Sequence, residues 1–169
     1  MVLQITLTAV RRERSSCVDS SRTALKDLHM PEQGPVPLRL AWRGPFANRE
    51  VNELHAEAFE TRVFSDEEWD WQTLCAQHSL GWVTARHGDE LVGFANVLWD
   101  GLVHAWLQDV MVAKQQRRSR VGQRVVAEAA KGARQARCEH LHVDFDHELA
   151  PFYIDGCGFT PAQAGVMEL

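Results

Sequence analysis

The chain has 169 residues, a formal net charge of −5, 45% hydrophobic residues and 24% charged residues. That size and balance suit one globular domain with a real core, and the acidic total argues against a general nucleic-acid binder, whose footprint is basic. Cys17, Cys75, Cys138 and Cys157 show no CxxC spacing, so they suggest neither a metal site nor a disulfide framework. Reduced thiols point to a cytoplasmic setting, and no apolar run has the length of a membrane span.

In chain order, residues 1–36 read as an N-terminal extension, poorly ordered or peripheral, ahead of a domain over 37–169. Val2 to Val10 has the makings of a strand. Arg11, Arg12 and Arg14 and a Ser-rich stretch follow it. Charges after the apolar run make a poor secretory signal, and Met30 is a second candidate start. Pro35-Val36-Pro37 is a stiff linker. Leu38 to Trp42 alternates and predicts a first strand. Asn48 can cap a helix to about Phe59, with Val51, Leu54, His55 and Ala58 on one face. Ser65-Asp66-Glu67-Glu68 has the form of a capping box and predicts a second helix to about His78.

The pattern then changes to strands. Gly81 to Arg86 is one, Leu91 to Trp99 the next, and Asp100-Gly101 signals a two-residue hairpin into Leu102 to Val112. From Val121 to about Ala136 the apolar positions Val121, Val125, Ala129 and Ala133 recur every four residues, one face of a helix. Glu139 to Phe145 alternates again, so a βαβ crossover is expected. Glu148 to Asp155 predicts a short helix with Pro151 in its first turn, and Phe159 to Leu169 a terminal hairpin.

The most informative stretch is Gln108 to Val126, QDVMVAKQQRRSRVGQRVV. It reads as strand, basic loop, helix. Lys114, Arg117, Arg118, Arg120 and Arg124 crowd the loop and the helix start. A helix N-terminus offers unpaired N–H groups and a partial positive charge. With guanidinium groups beside it, the site suits a phosphate or pyrophosphate, although a plain solvated basic loop fits the same pattern.

Arg117-Arg118-Ser119-Arg120-Val121-Gly122 resembles the R/Q-x-x-G-x-G/A acetyl-CoA loop of the GNAT N-acetyltransferase superfamily. Trp106 to Val112 matches the strand that leads into it. Ala150-Pro151-Phe152-Tyr153-Ile154-Asp155-Gly156-Cys157-Gly158-Phe159 is similar to the family's A-x-x-F/L-Y-x-x-x-G-F segment. The likeness runs from about Pro37 to Leu169. It implies an α/β fold of the α+β kind: a central, mostly antiparallel sheet flanked by helices, with a splay between the fourth and fifth strands. It implies transfer of an acetyl group from acetyl-CoA to the amine of a small molecule or peptide, by direct attack in a ternary complex. Homodimers are common in the family, and neither nucleic acid nor membrane is implied as a partner.

The resemblance also implies roles. Val110, Met111 and Val112 fall where the family's strand meets the thioester carbonyl and the pantetheine arm. Arg117, Arg118, Ser119, Arg120, Val121, Gly122 and Gln123 match the pyrophosphate loop, with Arg120 standing where the family usually has glycine. Tyr153, the only tyrosine in the chain, falls where the family places the acid for the departing thiolate. Its other reading is an aromatic that packs the short helix on the sheet. Several relatives carry a base, a glutamate, at the position of Gln108, which cannot take a proton. His104, Asp109 or a water held by Gln108 are the candidates for that role. Adjacent strand residues should face opposite sides, which would separate Asp109 from Gln108, His104 and Trp106. The departures at Arg120 and Gln108 leave a second reading, a GNAT-fold module that binds acyl-CoA without efficient turnover.

Overall fold

The computed structural model describes residues 36–168. The strand expected at Val2 to Val10, the candidate start at Met30 and most of the proposed extension lie outside the described residues. The elements run β1 (Leu38–Trp42), α1 (Asn48–Phe59), α2 (Trp71–His78), β2 (Ser79–His87), β3 (Glu90–Trp99), β4 (His104–Val112), a 3-10 turn (Lys114–Gln116), α3 (Val121–Gln135), β5 (His140–Val143), a second 3-10 turn (His147–Leu149) and a π-helical turn (Pro151–Gly156). The sheet order is β1-β2-β3-β4-β5. The first three pairings are antiparallel, and β4 pairs with β5 in parallel, as a strand–helix–strand crossover requires. The result is the mixed, mostly antiparallel sheet with helices that the sequence implied.

Alternation along β3 decides what lies on each face. Phe94 is fully buried and meets Trp71 and Phe46 edge-on, with ring centroids 5.8 and 5.3 Å away. Its neighbour Gly93 faces the other way: a Cβ there would stand 3.2–3.3 Å from Val121 and Val125 of α3. So α1 and α2 cover one face and α3 covers the other. The apolar stripe of α3 is buried as its spacing predicts, through Val121, Val125, Val126, Ala129 and Ala133.

Trp42 locks β1 to α3. Its indole lies between Gly81 and Gly132, and a Cβ on Gly132 would sit 2.5 Å from the ring. Alanine in a helix interior is normally favoured over glycine by about 1 kcal/mol. Overpacking against a clamped ring costs about 1–3 kcal/mol, so Gly132→Ala should lose up to about 2 kcal/mol. The midpoint of urea unfolding would register it.

Several expected boundaries move. Ser65 and Glu68 do exchange the bonds of a capping box: the Glu68 N–H donates to Ser65 Oγ at 3.3 Å, and the Ser65 N–H donates to Glu68 Oε2 at 3.0 Å. They close only a turn, because Asp70 caps α2 through the Thr73 N–H at 3.1 Å. Asn48 caps α2 rather than its own helix: its Oδ1 accepts from the Gln72 N–H at 2.8 Å, while its Nδ2 donates to Asp70 at 2.8 Å. At the start of α1, the Ala47 N–H donates to Glu50 instead. Asp100-Gly101 belongs to a longer loop, in which Asp100 Oδ1 accepts from the N–H groups of Leu102 and His104. The terminal hairpin is not formed: residues 158–168 have no regular secondary structure.

Candidate active site

The ladder between β3 and β4 slips once. Phe94 faces Met111 and Asn96 faces Gln108, so Ala95 faces both Asp109 and Val110. This is a β-bulge, and Asp109 makes it with a left-handed φ of 51°, a conformation that aspartate tolerates better than most residues. The bulge overturns the expectation of strict alternation. It turns the Asp109 carboxyl to the α1–α2 face, the face that Gln108 shares through its pairing with Asn96.

Three groups from three elements surround that carboxyl. Asn96 of β3 is buried; its Oδ1 accepts from Ser79 Oγ at 2.6 Å, so its amide N–H points to Asp109. His55 of α1 and Asp109 influence each other through their charges, and the Asp109 charge also raises the Cys75 thiol of α2. Burial pushes the Asp109 carboxyl above the usual range, and His55 and Asn96 pull it partly back. Burial pushes His55 down, opposed by the Asp109 charge. Burial pushes the Cys75 thiol up to about 11.

Beyond β4 the basic loop divides its work. Lys114 and Arg117 are tied to the end of α1. The Lys114 N–H donates to Glu57 at 2.5 Å and its ammonium pairs with Glu60 at 3.1 Å. Arg117 donates to the Ala58 carbonyl at 3.3 Å and, more weakly, to the Val112 carbonyl at 3.5 Å. Ser119 donates to the Gln116 carbonyl. Arg118 and Arg120 are exposed, and both have left-handed backbones with φ of 63° and 65°. The Arg124 N–H bonds the Arg120 carbonyl at 3.1 Å. The N–H groups of Val121, Gly122 and Gln123 precede that first turn, with no helical carbonyl behind them. Met111 is fully buried, while Val110 and Val112 are half-buried beside the loop.

The left-handed φ at Arg120 explains why related loops use glycine there. A residue with a Cβ pays about 1–2 kcal/mol for that conformation, against about 0.5–1 kcal/mol for the extra freedom of glycine in the unfolded chain. Arg120→Gly should therefore gain up to about 1 kcal/mol of stability, read from the denaturation midpoint. Gly122 serves a different need. A Cβ there would meet the Phe152 ring at 3.1 Å, so its absence lets α3 approach the π-helical turn. Gln123 secures the same contact by donating to the Gly156 carbonyl at 3.1 Å.

Tyr153 lies in that π-helical turn, which replaces the expected single helix over 148–155. Its ring is buried among Phe145, Phe152 and Phe159, with centroids 4.8, 4.8 and 5.9 Å away. Burial, then the nearby Cys157, pushes its phenol up to about 12. His104 stands at the other end of β4. Its Nδ1 is 2.8 Å from His142 Nε2, and the His104, Trp106 and His142 rings form a stacked group across β4 and β5. Among the described residues no cluster of His, Cys, Asp or Glu is arranged to hold a metal ion, and no helix is long and apolar enough to cross a membrane.

Sequence reasoning placed His55 on the apolar face of α1 and gave Asn96 no role. The sequence carries no signal for either, because their link to Asp109 depends on the bulge and on distant pairing.

The bulged strand β4, the basic loop and the open N-terminus of α3 form one continuous unit in this mixed-sheet domain. The profile of the Acetyltransferase (GNAT) family matches residues 48–159, and the chain belongs to that family. Solved structures agree on the fold. A probable acetyltransferase from meticillin-resistant Staphylococcus aureus superposes with TM-score 0.64 at 20% identity, covering 79% of this chain and 98% of its own. Glucosamine-6-phosphate N-acetyltransferase from Arabidopsis thaliana gives 0.59 at 17%, covering 78% and 98%. An aminoglycoside acetyltransferase from an uncultured soil metagenomic sample, in complex with sisomicin, gives 0.63 at 16%, covering 78% and 94%. No curated protein sequence matches the chain.

Proposed function

We propose that this domain moves an acetyl group from acetyl-CoA to the primary amine of a small molecule or peptide, by direct attack in a ternary complex. The observation that carries the reading is the bulge at Asp109–Val110, on the strand that leads straight into the open N-terminus of α3. The residues present fit the co-substrate. The free N–H groups of Val121, Gly122 and Gln123, with Ser119 and the exposed Arg118 and Arg120, form a cradle of the kind that binds pyrophosphate. The pairing of β4 with β5 runs from His104 to Leu107 only, which leaves the β4 edge over Gln108–Val112 without a β5 partner. A pantetheine arm would lie along Val110, Met111 and Val112 there. The thioester, when bound, supplies an activated acyl carbon and a thiolate leaving group.

The chain's own groups handle protons. The acceptor's ammonium must first lose one, and Asp109 and His104 are the candidates to receive it. As the new N–C bond formed and the C–S bond broke, Tyr153 would give its proton to the departing thiolate and be reprotonated from solvent. The nitrogen sheds its remaining excess proton to solvent. An acyl-cysteine route is disfavoured, because burial holds the Cys75 and Cys157 thiols above their ordinary range and therefore protonated at neutral pH. Two structural neighbours named for amino-sugar and aminoglycoside acetylation support a small-molecule amine.

Calorimetric titration with acetyl-CoA and CoA, followed by thiol release over an amine panel, tests the reading. Binding with acceptor-dependent CoA release is the expected result. Binding with no turnover on any amine would favour an acyl-CoA-binding module, the reading that Arg120 and Gln108 keep open. Absence of binding would overturn both.

A further inference from the structure

Two acids stand beside the loop proposed for a polyanion. Glu57 lies in the last turn of α1 and Glu60 at its C-cap. By charge alone both oppose a pyrophosphate. Yet both hold the base of the loop. The Glu57 carboxylate accepts from the Lys114 backbone N–H at 2.5 Å, and Glu60 pairs with the Lys114 ammonium at 3.1 Å. Lys114 opens the 3-10 turn over Lys114–Gln116, so no carbonyl of that turn lies behind its N–H. Arg117, just past the turn, fastens the same junction through the Ala58 carbonyl at 3.3 Å.

The loop needs such fastening. Arg118 and Arg120 are left-handed, at φ 63° and 65°. A residue with a Cβ keeps that conformation only where its surroundings over-determine it. Upstream, the Ala113 N–H donates to the Val92 carbonyl of β3 at 3.0 Å. Downstream, Gln123 donates to the Gly156 carbonyl at 3.1 Å. Between them the loop's own backbone is held by the Glu57 carboxylate, and a hydrogen bond to an ionised acceptor is about twice as strong as a neutral one. We propose that Glu57 is a positioning residue for acetyl-CoA: by accepting from the Lys114 N–H, it keeps the loop in the shape that presents the Val121, Gly122 and Gln123 N–H groups to the pyrophosphate. This rests on the acetyltransferase reading and deepens it. It also divides the cations: Lys114 and Arg117 face α1, which leaves the exposed Arg118 and Arg120 for the phosphates.

Glu60 supplies the comparison. It carries the same charge at the same helix end, but it reaches the Lys114 ammonium rather than the backbone. That pair is well exposed, with side chains 48% and 76% accessible, and such pairs hold little. The two acids therefore separate charge from position. If they act on the ligand through charge alone, removing either one tightens acetyl-CoA binding. If Glu57 positions the loop, removing it loosens binding, because apparent affinity falls with the fraction of molecules whose loop is formed. The two accounts predict opposite signs.

Calorimetric titration of the full chain with acetyl-CoA reads the sign. Glu57→Ala should weaken binding about tenfold, with kcat at saturating acetyl-CoA within a few-fold of the parent's. Glu57 is half-buried on a helix, where alanine is well tolerated, so folding is not at stake. Glu57→Gln keeps an oxygen that accepts the N–H and should restore affinity to within a few-fold. Glu60→Gln should bind at least as tightly as the parent. A second readout needs no ligand: hydrogen exchange at the Lys114 amide, followed by NMR, should be slow in the parent and in Glu57→Gln, and about tenfold faster or more in Glu57→Ala. Binding by Glu57→Ala as tight as the parent's, or an unchanged exchange rate, overturns the proposal. So does Glu57→Gln binding as weakly as Glu57→Ala, since the accepting oxygen would then not matter. A parent protein that binds no acetyl-CoA overturns the acetyltransferase reading and the positioning role together, whereas the variant results strike the positioning role alone.

Discussion

Tyr153→Phe should lower kcat by about 10²-fold or more while leaving acetyl-CoA affinity within a few-fold. The substitution isolates one atom. The ring packs against Phe145, Phe152 and Phe159, and phenylalanine keeps all three contacts, so little stability is at stake. What goes is the hydroxyl. Burial keeps that phenol protonated across the working pH range, with its pKa pushed up to about 12, so the proton is present for a departing thiolate but is held more tightly than in an ordinary phenol. Steady-state kinetics at saturating acetyl-CoA and acceptor decide the matter. An unchanged kcat would leave Tyr153 as packing alone.

The largest effect on stability should come from Trp71→Ala. Trp71 is fully buried at the start of α2, stacked on Trp69 at 5.6 Å and edge-on to Phe94 at 5.8 Å. Its Nε1 donates to Asn52 Oδ1 at 2.9 Å. Truncation should cost about 3–5 kcal/mol from the cavity and lost burial. The Asn52 oxygen, orphaned in a buried site, adds about 1–3 kcal/mol unless water reaches it. Since small domains have only about 5–15 kcal/mol in total, the variant should be largely unfolded at physiological temperature. Trp71→Phe should be much milder, because it keeps most of the ring and loses chiefly the N–H bond. Urea unfolding of the two side by side separates the packing loss from the hydrogen-bond loss; equal midpoints would mean that packing carries none of the difference.

The elements with a clear period were legible. β1 runs over the expected residues, α1 ends where its apolar face ends, and α3 starts at Val121 because that is where the four-residue spacing starts. Order and pairing came from these. Anything that depends on a partner far away in the chain could not be read. Asn48 looked like a cap for α1 because a cap usually serves the next helix, yet its acceptor is used by Gln72. Ser65 and Glu68 formed their reciprocal bonds but led into a turn, since the pattern specifies the two bonds and not the path of the chain after them. The bulge was hidden because Gln108-Asp109-Val110 alternates as a plain strand would. The tail from Phe159 misled for the opposite reason: Pro161, Ala162 and Gly165 offer little to hold a ladder, and Val166 and Met167 stay exposed. In the candidate site, the cradle at α3 and the aromatic at Tyr153 were visible through short motifs. His55 was not, because a histidine on an apolar face says nothing about what approaches from a strand much later in the chain.

The crossed caps of α1 and α2 have a mechanical consequence. Asn48 and Asp70 fasten the starts of both helices to each other, and Asn52 repeats the tie one turn further in through Trp71 and the Trp69 carbonyl. Two helices clamped at their roots cannot hinge independently. If the acceptor side opens to admit a bulky amine, the pair must swing as one stiff flap, carrying His55 with it and leaving Asp109 behind on the sheet. Opening would then displace both helices through one arc instead of widening the gap between them.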